Sequence, residues 1–359
     1  ARPQIYPTTV ISYTKTMSAP PLVIGGAFSS PYSMKMRAVL RYRHIPHRWV
    51  LRNSKWDDLP TPPVPVIPVL AWPDGKGGYN DVMVDSSPQI TRLESEYTDR
   101  SIVPEDAVLA FIDFLLEDFA DEWVTKIMYH YRWTYDPDIE KAGKLLPLDQ
   151  NLQLADTAHA KAHDFIIDRQ IGRRAMVGST EANTHILENS YTNVLDILER
   201  HFQTHDFLFG DRPGRTDFAL YGQLKPLLWW DPTPTAIAVE RAPRVVNWIQ
   251  RVDDLSWWQV DANEGWASSD SLEETLTQLL HEAGQTYAPF MIANYEALEN
   301  GSDHVECEIN GSKFQQAPFK YQAKCLQWIR QAYNELSSVN QSRVHAHLAS
   351  SGCEILLIQ

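Results

Sequence analysis

The chain has 359 residues, enough for two or three domains, each with its own core. Its formal charge of −14 argues against a nucleic-acid or membrane-surface partner, since either wants a basic face, but leaves a small anionic ligand open because a local site can oppose the net sign. The three cysteines, Cys307, Cys325 and Cys353, form no Cys-x-x-Cys pair, so neither a zinc ribbon nor a dithiol centre is written here, and their odd number suits a reducing, cytoplasmic compartment.

In chain order, residues 1–20 carry several Thr, Ser and Pro but no basic start followed by an apolar core. They are expected to form a loosely held extension rather than a signal peptide. No later apolar run approaches the roughly 20 residues of a membrane span. Pro21-Leu22-Val23-Ile24 reads as a short buried strand, followed by the turn Gly25-Gly26 and a helix from Pro31 to about His44. Met34, Ala38 and Tyr42 give that helix its apolar stripe. Ser30 is an N-cap type, and Pro31 at the first helical position loses nothing by lacking an N–H. Strand, glycine turn and capped helix together aim backbone amides and a serine hydroxyl at one point, which suits an anion. A Ser-Pro helix start is also, in most proteins, a cap and nothing more.

Residues 47–52 read as a second strand, then a Pro-rich crossing leads to a third, Ile67-Pro68-Val69-Leu70-Ala71-Trp72, entered through a proline. Pro73-Asp74-Gly75-Lys76-Gly77-Gly78 is a turn cluster, and Val82-Met83-Val84 a fourth strand. Asp85-Ser86-Ser87-Pro88 opens a helix through Tyr97, again with capping residues before a proline. From about Pro104 to Trp258 the pattern is mostly helical. Ala107 to Tyr131 places Phe111, Leu115, Phe119 and Ile127 on one side, the ordinary mark of core packing. Another helix is expected over 187–202. Beyond 260, residues 272–298 read as helix interrupted near Pro289. Val305–Ile309, Asn310-Gly311 and Ser312–Gln316 form a hairpin signal, and Tyr321 to Leu336 a helix. His304 and Cys307 are too few for a metal site. The 12 Trp and 15 Tyr fit both large cores and an aromatic-lined pocket.

Three stretches carry a resemblance. Ser30-Pro31-Tyr32-Ser33-Met34-Lys35-Met36-Arg37, Ile67-Pro68-Val69-Leu70 and Asp85-Ser86, in this order, resemble the amino-terminal domain of cytosolic glutathione transferases, the first looking like the tau class. Gly210-Asp211-Arg212-Pro213-Gly214-Arg215-Thr216-Asp217-Phe218 resembles the family's Gly-x-x-Pro-x-x-x-Asp-Phe stretch, with Gly214 where Ser or Thr usually caps. The resemblance covers roughly residues 21 to 260. It implies a thioredoxin-like α/β domain over 21–98, an all-helical domain over 104–260, and an added C-terminal α+β extension over 261–359.

The resemblance also implies a site. Glutathione is the co-substrate, with no metal. Ser30 is the residue that holds its thiolate; Ser29 takes the role if the register slips by one, and Tyr32 is the remaining alternative. The bond between Ile67 and Pro68 is cis, and the Ile67 backbone pairs with the cysteinyl part of glutathione. Asp85 and Ser86 receive the γ-glutamyl end. The lysine that tau-type sequences place before the Ile-Pro pair is replaced by Pro65 and Val66, leaving Arg52 or Lys55 for the glycyl carboxylate. Trp123, Tyr129 and Trp133 are candidates to line a pocket for a hydrophobic electrophile. Asp217 belongs to folding. Serine rather than cysteine at position 30 favours conjugation, or ether or halide cleavage, over thiol exchange. The implied assembly is a homodimer. The competing expectation is a transferase-shaped binding or scaffold protein that has lost catalysis and uses residues 261–359 for a partner.

Overall fold

The computed structural model describes residues 20–261 and 264–358. The expected N-terminal extension, Pro20 apart, lies outside them.

Strand β1 (Leu22–Gly26) is buried along its whole length, which is why Leu22, Val23 and Ile24 are all apolar. It is flanked by β2 (His47–Leu51) and β3 (Val69–Trp72), and β4 (Asp81–Val84) closes the far edge, giving the order β2-β1-β3-β4. β1 runs parallel to β2, with Ile24 opposite Trp49, and antiparallel to β3, with Ile24 opposite Leu70. β3 and β4 are antiparallel. The parallel pair needs a crossover, and α1 (Pro31–Tyr42) supplies it. Helix α2 (Ser86–Glu96) follows β4. The expected strand–helix–strand, crossing, hairpin, helix order is the one observed.

The helical part opens with α3 (Ala107–Phe119), capped by Asp106, whose carboxylate accepts from Val108 N–H and Leu109 N–H at 2.8 and 3.1 Å. The chain continues through one wide π turn, Ala120–Val124, into α4 (Thr125–Thr134). The single helix expected over 107–131 thus carries a register shift in its middle. Then come α5 (Asp136–Leu145), α6 (Asp156–Ile171), α7 (Thr184–His201), α8 (Arg215–Lys225), α9 (Pro232–Arg241) and α10 (Pro243–Val252). Helix α8 lies against α1. A Cβ on Gly222 would stand 2.8 Å from the Pro31 carbonyl oxygen and 3.1 Å from Lys35 Cβ, so glycine there is what lets the first turn of α1 seat on α8.

The extension adds α11 (Glu274–Gln285), α12 (Tyr287–Glu299), the hairpin β5 (Val305–Ile309) and β6 (Ser312–Gln316), α13 (Lys320–Asn334) and α14 (Ser338–Leu348). Asn310 and Gly311 both take positive φ, 50° and 74°, as a two-residue hairpin turn with right-handed strand twist requires. The expected interruption near Pro289 falls earlier, at Thr286; Pro289 sits inside the first turn of α12, where a missing N–H costs nothing. These elements share one contiguous apolar core with the rest of the chain, Leu279, Tyr287, Phe290 and Phe314 joining Phe119, Trp123 and Leu187. No helix among the described residues is long and apolar enough to cross a membrane.

Candidate functional site

The turn after β1 is built from its own side chains. Ser30 has extended backbone, φ −89° and ψ 119°, and its Oγ accepts from Ser33 N–H at 3.3 Å, capping α1. Ala27 N–H donates to Ser33 Oγ at 3.3 Å, closing the loop on the helix. Among the described residues no acceptor takes the Ser30 hydroxyl proton. A half-buried serine stands at the positive end of α1 with a hydrogen to give.

Its neighbours are committed elsewhere. Ser29 Oγ donates to Asp149 Oδ2 at 2.6 Å, and Ser29 N–H reaches the same oxygen at 3.3 Å. Arg132 Nη1 donates to the Ser29 carbonyl at 3.3 Å, while its Nε bonds both Asp231 oxygens at 3.0 and 3.1 Å. The helical part therefore holds the loop through Ser29. Tyr32 donates its phenol inward, to the Asp121 carbonyl at 2.8 Å. Burial, then the Glu122 and Asp121 carboxylates, push that phenol well above its ordinary pKa, so it stays neutral.

Ile67-Pro68 is cis, as the resemblance implied. Pro68 carbonyl accepts from Gln89 Nε2 at 3.1 Å, and the same amide donates to Met83 carbonyl at 2.8 Å, pinning α2 to the sheet. Among the described residues no hydrogen bond uses the Ile67 backbone groups. That leaves one N–H and one C=O at the strand entry for a ligand backbone.

Asp85 is the N-cap residue of α2 and adopts φ +80°, a left-handed conformation that a non-glycine residue holds only under constraint. Ser86, next to it, is buried and accepts from Lys35 Nζ at 3.2 Å. The Lys35 ammonium also lies 2.7 Å from Glu117 Oε1 and 2.6 Å from Asp121 Oδ2. Burial alone would pull this amine down, but the Asp121 and Glu117 carboxylates outweigh it and hold the ammonium above its ordinary range. Since Lys35 is the donor, the Ser86 hydroxyl keeps its own proton for an acceptor. Asp85 Oδ2 accepts from the Tyr321 phenol of α13 at 2.7 Å. Burial raises the Asp85 pKa, and that phenol opposes the rise.

Among the described residues the side chains of the other candidates form no hydrogen bond with these, although Arg52 N–H donates to the Gly26 carbonyl at 2.9 Å beside the same turn. Arg52 is tied to Asp57 Oδ1 at 2.6 Å. Lys55 is exposed beside the Trp56 ring, 5.2 Å from its centre. Trp123 is 0 % exposed, donates its indole N–H to Ser190 Oγ at 2.9 Å and packs on Phe290 and Phe314. Its face is filled by the extension rather than open to a pocket. Trp133 is buried as well, and Tyr129 donates to the Gln170 carbonyl at 2.8 Å. Asp217 acts as expected, accepting from Gly214 N–H and Leu208 N–H at 2.8 and 3.1 Å. Lys35, Arg132, Asp149 and Tyr321 were not singled out from the sequence. Lys35 lies inside the quoted helix motif; the other three reach the site from far along the chain and leave no local signal.

Family models match two parts of this chain. Residues 26–101 match the glutathione S-transferase N-terminal domain, and residues 181–251 match the glutathione S-transferase C-terminal domain. No curated protein matches. Similar solved structures include a GST-like protein from Pseudomonas syringae (17% identity, 65% of this chain and 66% of that one, TM-score 0.41). This chain thus spans just under two thirds of that protein. Others are a tau class glutathione S-transferase from mango, Mangifera indica (18%, 73% and 97%, 0.37), and a glutathione transferase family member from Pseudomonas fluorescens with two glutathione bound (12%, 64% and 87%, 0.40).

Proposed function

Because this chain belongs to the cytosolic glutathione S-transferase superfamily, we propose that it is a serine-type glutathione transferase, in which Ser30 stabilises the glutathione thiolate for attack on an apolar electrophile. The observation that carries this reading is the state of the Ser30 hydroxyl. Its oxygen accepts from Ser33 N–H, and among the described residues no acceptor takes its proton, which is what supports a role for it toward a thiolate at the amino end of α1. Ser29 and Tyr32 have spent theirs.

The energetics suffice. A free thiol with pKa near 8.5 is only about 3% thiolate at pH 7. Lowering the pKa by about two units takes roughly 2.7 kcal/mol of preference for the anion. One hydroxyl hydrogen bond to an anion contributes about 1.5–3 kcal/mol. The helix terminus adds a further ~0.3–1 kcal/mol. The thiol proton leaves to solvent, the thiolate sulfur forms the bond to carbon, and the electrophile expels its leaving group or takes up a proton. No base triad is required.

The rest of the tripeptide fits along the same edge. The unpaired Ile67 backbone takes the cysteinyl unit, and Asp85 with Ser86 takes the γ-glutamyl ammonium and carboxylate. For the glycyl carboxylate, Arg52 is engaged by Asp57, whereas among the described residues no carboxylate pairs with Lys55.

Calorimetric titration of glutathione into wild type and Ser30→Ala, with thiolate absorbance followed against pH, tests the reading. Both proteins are expected to bind. The bound thiol should ionise about two units below the free value in wild type, and one to two units higher than that in Ser30→Ala. Failure of wild type to bind, or equal ionisation in the two, sinks the proposal; a folded wild type without affinity would instead favour a binding or scaffold role.

A further inference from the structure

The extension reaches the amino end of α2. From Tyr321, in the first turn of α13, a phenol donates to Asp85 Oδ2 at 2.7 Å across 236 positions of sequence. This placement is anchored. Phe319, immediately before α13, is clamped at both backbone groups by the fully buried Asn294 of α12. Phe319 N–H donates to Asn294 Oδ1 at 2.8 Å, and Asn294 Nδ2 donates to Phe319 carbonyl at 3.0 Å. One residue after Tyr321, Gln322 Nε2 donates to the Glu122 carbonyl in the π turn at 3.4 Å. The ring itself meets Trp328 edge-on. A side chain fixed on both flanks does not wander onto Asp85 by chance.

We infer that Tyr321 is a positioning residue of the γ-glutamyl subsite, so that the C-terminal extension forms part of the glutathione site. The inference rests on the glutathione-binding reading of Asp85 and Ser86 above. An ionised carboxylate offers about four acceptor directions. The phenol takes one on Oδ2 and the Ser87 backbone N–H also favours the anion, which still leaves acceptor directions on the carboxylate for an ammonium. Tyr321 and the ligand amine are therefore neighbours on one carboxylate, not rivals for one place. Burial, with the Cys325 and Asp85 side chains, pushes the phenol far above its ordinary pKa, so it remains a donor. The subsite thus has matched supports. Lys35 donates to Ser86, which frees a hydroxyl proton for the ligand carboxylate, and Tyr321 donates to Asp85, which keeps the carboxylate charged and aimed at the ligand ammonium.

The charge on Asp85 is set by several faces. Lys35 approaches from α1, Asp121 from the π turn, and Lys324, Tyr321 and Cys325 from α13. Burial favours the neutral acid, and the phenol hydrogen bond favours the anion. Removing the phenol oxygen therefore raises the Asp85 pKa. An ammonium ligand needs the anion, so the acid limb of its binding profile moves to higher pH.

The test uses full-length wild type and Tyr321→Phe, titrated with glutathione and with glutaryl-cysteinylglycine, in which hydrogen replaces the γ-glutamyl amino group. Loss of one hydrogen bond to the recognising carboxylate predicts glutathione binding about 5–10-fold weaker in Tyr321→Phe, with the analogue changed less than about twofold. The acid limb for glutathione should rise in the variant and stay fixed for the analogue. Phe keeps the ring against Trp328, and a melting curve checks the fold. Tyr321→Met, which removes the same O–H from a different frame, must show the same loss of discrimination. Equal losses for both ligands, or glutathione binding unchanged or tighter in the variants, overturn the inference. Wild type that binds neither ligand defeats the glutathione reading itself, and Tyr321 falls with it.

Discussion

At the scale of single residues, the most informative departure from the family pattern is Gly214. A cap residue with a hydroxyl is expected there, and glycine leaves half the capping box unmade. The missing half arrives from another helix. Asp113 of α3 accepts from Arg215 N–H at 3.0 Å, from Thr216 N–H at 2.8 Å and from Thr216 Oγ1 at 2.7 Å. A Cβ on Gly214 would stand 2.9 Å from Asp113 Oδ1, so glycine and aspartate are one device: the absent side chain is the space through which the carboxylate enters. Gly214→Ser, which restores the family residue, is therefore expected to destabilise the protein by about 1–3 kcal/mol through overpacking. Asp113→Asn turns an amide donor toward N–H groups and should cost a similar ~1–3 kcal/mol. Urea unfolding measures both; a stabilised Gly214→Ser would show that Asp113 is not the cap. The same carboxyl gives a pH signature. Burial first, against its hydrogen bonds, pushes Asp113 up from 3.8 to about 6. An acid whose folded pKa exceeds its unfolded value binds more protons when folded, so its contribution is fullest below about pH 4 and is lost as pH rises through about 6. Between those limits, wild-type stability should fall more steeply with rising pH than that of Asp113→Asn.

At the scale of elements, what could be read in the sequence and what could not divide by distance along the chain. Ser30 capping through Ser33, Pro31 at the first helical position, the Ile67-Pro68 strand entry and the Asn310-Gly311 turn are each settled by residues within a few positions, and each stands where local chemistry put it. The π turn at Ala120–Val124 left no such mark, because an apolar stripe continues through it. Its consequence lies in space: Glu117 and Asp121 converge on Lys35 of α1, which carries on to Ser86 of α2. Wide turns of this kind recur at functional sites, and here it joins α3, α1 and α2 through the Lys35 ammonium. Lys35→Met keeps much of the volume but leaves the buried Asp121 carboxylate without its cation, while Glu117 keeps Arg215 at 2.5 Å, a loss of about 3–5 kcal/mol. A variant that still folds should also bind glutathione more weakly, because Ser86 loses the donor that orients it. Unchanged stability in calorimetry would mean that Asp121 relaxes by protonation and that the cation is dispensable.

At the scale of the whole molecule, residues 261–359 read from sequence as an appendage beyond a familiar frame, whereas the structure merges them with its centre. Trp123 of the π turn meets Phe290 of α12 at 6.0 Å and Phe314 of β6 at 5.5 Å, and those two rings meet each other at 5.6 Å. Polar contacts follow the same seam. Lys126 Nζ donates to Gln316 Oε1 at 2.7 Å, Ser190 Oγ donates to Glu282 Oε1 at 2.5 Å, and Tyr287 donates to Asp118. An appended domain would have its own core and a wet, polar boundary; this seam is aromatic, and the Lys126, Ser190 and Tyr287 donors named above each have an acceptor across it. Phe314→Ala should therefore cost about 3–5 kcal/mol, as deletion of a packed ring does in a central core. The cost should appear as a downward shift of the entire unfolding transition, followed alike by tryptophan fluorescence and by far-ultraviolet circular dichroism. If the two signals separate, with an early phase for the extension and an unshifted one for the rest, the extension is an independent unit. Coincident loss would mean that α13 and its Tyr321 are held at Asp85 by the same core that holds Ser30.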